Sequence, residues 1–381
     1  MATVTRSLPT PEAEALLGLT RELVEGELLP RVDGSEAAAE FPRELFRTLG
    51  KAGLLGLPYE ERFGGGAQSY EVYLQVLEEL ARGWAGVAVS VSVHTLACFP
   101  VAAWGSTDQQ ERFLPDMLGG ELLGAYCLSE AHSGSDAAAL STRAHLDGDA
   151  YVVDGAKAWV THGGHADFYN LMVRTGGPGA SGISCLLADS ATPGMSASKP
   201  EKKMGMRSSV TATMTLDGAR VPANRLLAEE GQGFAIAMSA LDSGRLGIAA
   251  CAVGLAQAAL ELAVSYAAER RQFGKPIGAF QGITFLLADL ATQVEAARAL
   301  YLSAARLKDA GKPYGPQASM AKLFATDTAM RVTTDAIQVL GGAGYVEDHP
   351  AERYFREAKI MQIFEGTNQV QRLVIGRSLT P

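Results

Sequence analysis

Apolar residues recur at three- and four-residue intervals through the first third of the chain: Phe41, Leu45, Leu49 and Ala52, then much of 70–80, with charges between them. That period predicts helices with one buried face. Residues 87–103 are apolar on nearly every side, which predicts a helix buried all round. Gly64, Gly65 and Gly66 mark a loop. From about residue 126 to residue 230 the texture changes. Residues 151–153 and 158–161 read as strands, and 211–216 alternate polar with apolar at strand period. Asp147-Gly148 and Asp154-Gly155 are tight-turn signals, and the glycine-rich run 176–182 is a loop. Helical spacing returns after residue 231, with Ile248, Val253, Leu255, Ala259, Leu262 and Tyr266 on one face. Helical stretches at 281–307, 317–339 and 351–378 follow, parted by glycine-bearing breaks near 274, 311 and 341. No repeat of 20–50 residues is present, which removes solenoids. The order is helical, then β, then helical.

A chain of 381 residues has a prior of two or three domains and enough length for a real core. Its 47% hydrophobic and 20% charged residues match a folded globular protein rather than a disordered one. A net charge of −9 argues against tracking a nucleic-acid backbone, which needs a basic surface. Cys98, Cys127, Cys185 and Cys251 are widely spaced and read as free buried thiols in a reducing compartment. The six histidines fall in no metal-binding spacing. No run of 18 uninterrupted apolar residues is present, so no membrane insertion is expected. The start has neither a signal core nor transit-peptide composition, so the expectation is a cytoplasmic protein, or an organelle protein without its presequence.

Four segments carry candidate chemistry. In Cys127-Leu-Ser-Glu-Ala-His-Ser-Gly-Ser-Asp136, small and hydroxylated residues let backbone N–H groups approach a flat or phosphorylated ligand. In Lys157-Ala-Trp-Val-Thr-His-Gly-Gly164, strand alternation would put the Trp159 ring and the Thr161 hydroxyl on one face, suited to a flat redox ring. In Gln338-Val-Leu-Gly-Gly-Ala-Gly-Tyr345, glycines after a helix can offer N–H groups to a pyrophosphate. No strand precedes them, so this is no Rossmann fingerprint. In Ile360-Met-Gln-Ile-Phe-Glu-Gly-Thr-Asn-Gln369, one carboxylate, Glu365, stands in an apolar stretch, which raises a carboxyl pKa and makes a stronger base. Taken singly, each also has a plain structural reading: a Ser/Gly turn, a core Trp, a helix–helix turn, a solvated Glu near a helix start.

Together, with Asp348, Arg353 and Glu357 trailing the glycines, these segments resemble the acyl-CoA dehydrogenase family along essentially the whole chain. Leu241-Asp-Ser-Gly-Arg-Leu-Gly247 and Met320-Ala-Lys-Leu323 resemble its short-chain, butyryl-type members. The resemblance implies an α+β fold, mainly α: an N-terminal helical domain (1–124), a middle β-barrel or sandwich domain (125–230) and a C-terminal four-helix-bundle domain (231–381). It implies FAD, held at its ring by Tyr126, Cys127, Leu128, Ser129, Ser135, Trp159, Val160 and Thr161. Arg270, Phe273, Gln281, Gln338, Val339, Leu340, Gly341 and Gly342 would hold the ADP half, supplied by a neighbouring subunit, and Thr367 and Gln369 would touch the cofactor on the catalytic side. It implies Glu365 as the base taking the α-proton, with the β-hydrogen passing to flavin N5 to give a trans-2-enoyl-CoA. Ser135, Asp242, Arg245 and Gly366 would line the acyl-CoA site. It further implies a homo-oligomer, tetrameric in most of the family, with an electron-transfer flavoprotein as electron acceptor.

Some members carry the base at the position of Gly244; here that position has no carboxylate, so Glu365 has no rival in the sequence. Ala131-His132 and His162 depart from the family pattern and are expected to make ordinary polar contacts. Leu96, Phe99 and Pro100 point to a short acyl pocket, and the lack of Lys or Arg between Arg82 and Arg112 argues against a dicarboxylyl substrate. Two alternatives remain: a same-fold oxidase or a dehydrogenase of carrier-bound acyl groups, and a non-catalytic nucleic-acid-binding flavoprotein, which the net charge opposes.

Overall fold

The computed structural model describes residue 4 and residues 6–380. Six helices come first: α1 (Pro11–Leu23), α2 (Leu29–Ala38), α3 (Arg43–Lys51), α4 (Tyr70–Gly83), α5 (Ala85–Trp104) and α6 (Thr107–Leu118). Their starts follow local chemistry. Thr10 Oγ1 accepts the Ala13 N–H ahead of Pro11, and Ser106 and Gln109 close a capping box that satisfies two otherwise free N–H groups.

The middle of the chain is one mixed sheet of β1 (Gly124–Cys127), β2 (Arg143–Asp147), β3 (Ala150–Thr161), β4 (Phe168–Arg174), β5 (Ile183–Asp189), β6 (Met195–Ala197), β7 (Thr211–Pro222) and β8 (Leu226–Leu227). Its order is β6-β7-β3-β2-β4-β5-β8, with β1 parallel to β4 at the side. Asp147-Gly148 opens the β2–β3 hairpin as expected, with Gly148 at φ 63°. Asp154-Gly155 does not turn the chain. It lies inside β3, where the register against β7 skips between Val153 and Gly155, and Gly155 takes φ 147°. A second skip falls between Lys157 and Val160, with Trp159 at φ 61°. The bulge interrupts the ladder just before Val160, yet burial still alternates past it: Trp159 is exposed, Val160 buried and Thr161 half-buried.

Helices return as α7 (Gly233–Glu269), then a small hairpin of β9 (Arg271–Gln272) and β10 (Lys275–Pro276), then α8 (Gln281–Asp309), α9 (Gly315–Leu340), α10 (Gly342–Tyr345), α11 (Ala351–Met361) and α12 (Asn368–Leu379). The stretch 351–378, read from sequence as one helix, is two helices with a loop at 362–367. The architecture is thus a helical N-terminal domain, a β-sheet middle domain and a helical C-terminal domain.

The largest core joins the first and last domains: Leu74, Leu77 and Leu80 of α4 meet Leu246, Val253 and Leu255 of α7 and Ala325 and Ala329 of α9, all buried. Each such Leu or Val contributes about 1.5–3 kcal/mol by leaving water. A second core packs α5 and α6 against β4 and β5 through Ala97, Phe113, Phe168 and Leu187. Helices α5 and α7 are long and apolar enough to cross a membrane by length and composition. Their most apolar stretches are, however, 89% and 83% buried inside the protein, so the apolarity serves packing. All four cysteines are free and buried.

Candidate active site

Two left-handed residues in succession, Glu365 (φ 54°) and Gly366 (φ 84°), reverse the chain between α11 and α12. Glycine adopts this conformation freely; for Glu365 it costs about 1–3 kcal/mol, which the surroundings must hold in place. Thr367 then caps α12, its hydroxyl accepting the Val370 N–H at 3.2 Å. Gln371 Nε2 donates to the carbonyls of Gly366 (2.8 Å) and Glu365 (3.3 Å), and Lys322 Nζ donates to the Gly366 carbonyl at 2.9 Å.

Glu365 is half-buried as a residue, yet its Oε2 is closed to solvent and has no hydrogen-bond partner. Burial pushes its pKa up to about 7, against the pull of Arg245 and Lys322. The carboxyl lies over α7 at Gly244: a Cβ there would fall 2.7 Å from Oε2. The glycine that removed a rival base from the sequence also makes the room that Glu365 occupies. Gly244 also lines a cavity of about 250 Å³, whose other walls include Tyr59, Tyr70, Leu96, Phe99, Ser243 and Lys308. Pro100 is not in its wall. Lys308, from the last turn of α8, donates to Ser243 Oγ at 2.8 Å and Tyr314 OH at 3.3 Å. A cation therefore does border the cavity. It lies outside residues 82–112 because the wall it belongs to is supplied by α8.

The first two motifs are stitched together. The Ala158 N–H donates to the Ser129 carbonyl at 2.9 Å, and Lys157 Nζ to the Leu128 carbonyl (3.2 Å) and Glu130 Oε1 (2.8 Å). Glu130 is buried, yet its pKa falls to about 2, because Lys157 and the Ser141 and Thr142 N–H groups outweigh desolvation. This pair sets Trp159 beside Ser129, with the indole 65% exposed. Cys127, Leu128 and Val160 bury their side chains, leaving backbone groups as what they can offer. Tyr126 has a buried hydroxyl without a partner; burial raises its pKa, Cys185 and the nearby Glu365 adding to the effect. Ser135 is exposed and Thr161 half-buried. Arg245 Nη1 bonds Asp242 Oδ1 at 2.6 Å, one turn away on α7. His162 Nδ1 pairs with the Gly124 carbonyl at 2.8 Å, its Nε2 is buried without a partner, and burial lowers its pKa to about 3. His132 is exposed, 3.6 Å from Glu130.

Glu365, Gly366, Gly244 and Arg245 thus gather near Tyr126. The second predicted group does not join them. Arg270 and Phe273 follow α7, Gln281 starts α8, Gln338 to Leu340 end α9, and Gly341 and Gly342 lead into α10. The side chains of Val339 and Leu340 are buried, whereas Phe273 is 91% exposed. Lys322, which touches the Glu365 loop, and Leu340 stand 18 positions apart on α9, so the α9 members of this set lie about 27 Å along that helix from the loop. Gln369 is exposed in the first turn of α12. Sequence reasoning assigned no role to Lys322 or Lys308; the Met320-Ala-Lys-Leu323 motif was the one available signal for the former.

A carboxyl with an unpaired oxygen, poised near neutrality against a cavity-lining glycine, is suited to taking a proton from a bound molecule. Family models of the acyl-CoA dehydrogenase N-terminal, middle and C-terminal domains match residues 10–121, 125–219 and 231–380. The chain belongs to the acyl-CoA dehydrogenase family of flavoprotein oxidoreductases. It is 41% identical over 380 residues to the mitochondrial short-chain specific acyl-CoA dehydrogenase of Rattus norvegicus, covering 99% of this chain and 92% of that protein. The solved butyryl-CoA dehydrogenase from Megasphaera elsdenii has 41% identity and a TM-score of 0.96, covering 99% of this chain and 100% of that one. A chain from a structure concerning the electron transferring flavoprotein of Acidaminococcus fermentans has 41% identity and a TM-score of 0.97, with the same coverage. The residues at the site are compatible with the FAD that the family implies: the open Trp159 ring offers a flat apolar face, and the buried Tyr126 hydroxyl is a polar group without a partner.

Proposed function

We propose that this chain dehydrogenates a short acyl-CoA between its α and β carbons, with Glu365 as the base. The observation that carries the reading is the Glu365 carboxyl itself, shielded, unpaired and held at a pKa of about 7. An ionised carboxylate with no competing donor is a stronger base than one bound in an ion pair, and a pKa near the working pH suits general-base catalysis. The α-proton of a thioester is only weakly acidic, so its carbonyl oxygen must be polarised as the proton leaves. The Glu365 backbone N–H donates to no protein acceptor among the described residues and is available for that oxygen. One such donor is worth about 3 kcal/mol in a transition state. Bound FAD supplies the two-electron acceptor for the β-hydrogen.

Tyr126, Ser129, Ser135, Trp159 and Thr161 would hold the flavin ring, with Thr367 and Gln369 on the catalytic side. Arg270, Phe273, Gln281, Gln338, Gly341 and Gly342 would hold the ADP half. Since Gln338, Gly341 and Gly342 lie at the far end of α9 from the Glu365 loop, the reading requires a second copy of the chain to complete each site, in a homo-oligomer that we take to be a tetramer. Asp242, Arg245, Ser135 and Gly366 would bind the thioester. Electrons would leave to an electron-transfer flavoprotein. A cavity of about 250 Å³ lies below the usual ~300–1,000 Å³ of ligand sites, which favours a short straight or lightly branched chain. Lys308 at its wall favours a second substrate reading, an acyl chain ending in a carboxylate.

Anaerobic mixing of the yellow protein with acyl-CoAs from C4 to C12 and with glutaryl-CoA tests both. We expect the oxidised flavin band to bleach fastest with C4–C6 chains. A maximum at C10 or longer overturns the short-chain reading, preference for glutaryl-CoA selects the second, and no bleaching by any thioester overturns the function. Steady peroxide formation in air would identify an oxidase instead.

A further inference from the structure

Lys322 is the buried cation of α9 nearest the base in the chain's own electrostatics, and no carboxylate lies within ion-pair distance of it among the described residues. Removing an ammonium from water without an anion costs several kcal/mol, so its hydrogen bonds have to be good ones. They go to two acceptors flanking the catalytic turn: the Gly366 carbonyl at 2.9 Å and Asn368 Oδ1 at 2.9 Å. Asn368 is fixed in turn, its Nδ2 donating to Asp327 Oδ1 at 2.7 Å, and Gln362 Nε2 donates to that same oxygen at 2.6 Å. Asp327 thus ties both ends of the 362–368 segment, and Lys322 ties its middle, to neighbouring turns of one rigid helix.

We propose that Lys322 is a positioning residue for Glu365: its ammonium pins the carbonyl after the base and so holds the left-handed turn that aims the carboxyl over Gly244. The inference rests on Glu365 being the base. Any lysine on the Gly366 carbonyl lies within electrostatic reach of the neighbouring carboxyl, so the pH profile is the readout that separates a positioning role from a purely structural one. The charged groups around Lys322 are Glu365 from the loop, Asp327 from α9 and Arg245 from α7. With the cation removed, Glu365 loses one of the two charges that hold its pKa down, so it becomes harder to ionise.

The test compares wild type, Lys322→Gln and Lys322→Arg as flavin-loaded enzymes, reading the rate of flavin bleaching and its pH profile alongside the infrared-detected titration of the Glu365 carboxyl. Lys322→Gln should lower the limiting rate by about 10- to 100-fold, the scale of an ångström-sized misplacement. It should change apparent substrate affinity far less, and shift both the acid limb and the carboxyl titration to higher pH. Lys322→Arg should recover part of the rate and return the limb towards the wild-type position. Should the amide not fold, Lys322→Met, similar in volume and uncharged, repeats the comparison. A Gln or Met variant with native rate and an unmoved limb overturns the proposal, as does an equal shift in the Arg variant. If instead wild type and Glu365→Gln bleach alike, it is the assignment of the base that fails.

Discussion

Glu78 is wholly buried and Glu365 has one oxygen, Oε2, closed off from water, and their surroundings treat the two carboxyls in opposite ways. Around Glu78, burial alone would raise the pKa, but Arg6 at 3.1 Å and Arg298 at 3.0 Å, with the Tyr301 hydroxyl, reverse it and hold the group ionised. Glu365 has two cations in reach and a hydrogen bond from neither, so desolvation prevails and its pKa climbs to about 7. The first carboxyl spends its charge joining α4, α8 and the N-terminal segment. The second keeps its lone pairs free for a proton that is not yet there. Glu357 sharpens the lesson. It too is buried, and burial pushes its pKa up to about 7, but its charged neighbour is Arg353 at 3.5 Å, whereas the Glu365 carboxyl lies against Gly244, which lines the cavity. A displaced pKa identifies a base only where a substrate can reach it.

Glu365→Gln should have the largest effect, cutting the rate of flavin bleaching by about 10³-fold or more while FAD stays bound, since a general base supplies about 10²–10⁴. Glu78→Ala should act on the fold: it leaves Arg6 and Arg298 buried without their anion and should cost about 3–5 kcal/mol in denaturant unfolding. Activity per folded molecule should then be nearly native. Gly244→Ala puts a methyl 2.7 Å from where Oε2 now lies and should lower the limiting rate by about 10²-fold with little change in stability. Glu357→Gln should be mildest. Its folded pKa of about 7 exceeds the ordinary 4.5, so the folded state holds the proton more tightly and loses stability as pH rises through that window. The amide should therefore raise Tm at pH 8 and leave it unchanged at pH 4.

Helices with one apolar face, and the apolar α5, were legible because their period depends on the chain's own spacing. The β3 bulges were not: whether Asp154-Gly155 turns or bulges is decided by pairing with β7, some sixty residues later. The break at 362–367 did have a local signal, Gly366 followed by the capping Thr367. The apolar period on either side concealed it. For the site, Glu365 and Gly244 could be picked out as residues, but their contact could not, nor could Lys308 and Lys322, which matter through partners tens of residues away. Composition bears on what a side chain is, and only packing decides whether it is paired.

The account turns on an unpaired Glu365 that must lose its proton before it can act. Rapid anaerobic mixing with butyryl-CoA across pH 5–9, in wild type and Glu365→Gln, tests this most directly. The account predicts a bleaching rate that rises with pH through an apparent pKa near 7 in wild type and is lost in the variant. A limb at the ordinary carboxylate value near 4.5, or bleaching of the variant at the native rate, would contradict it.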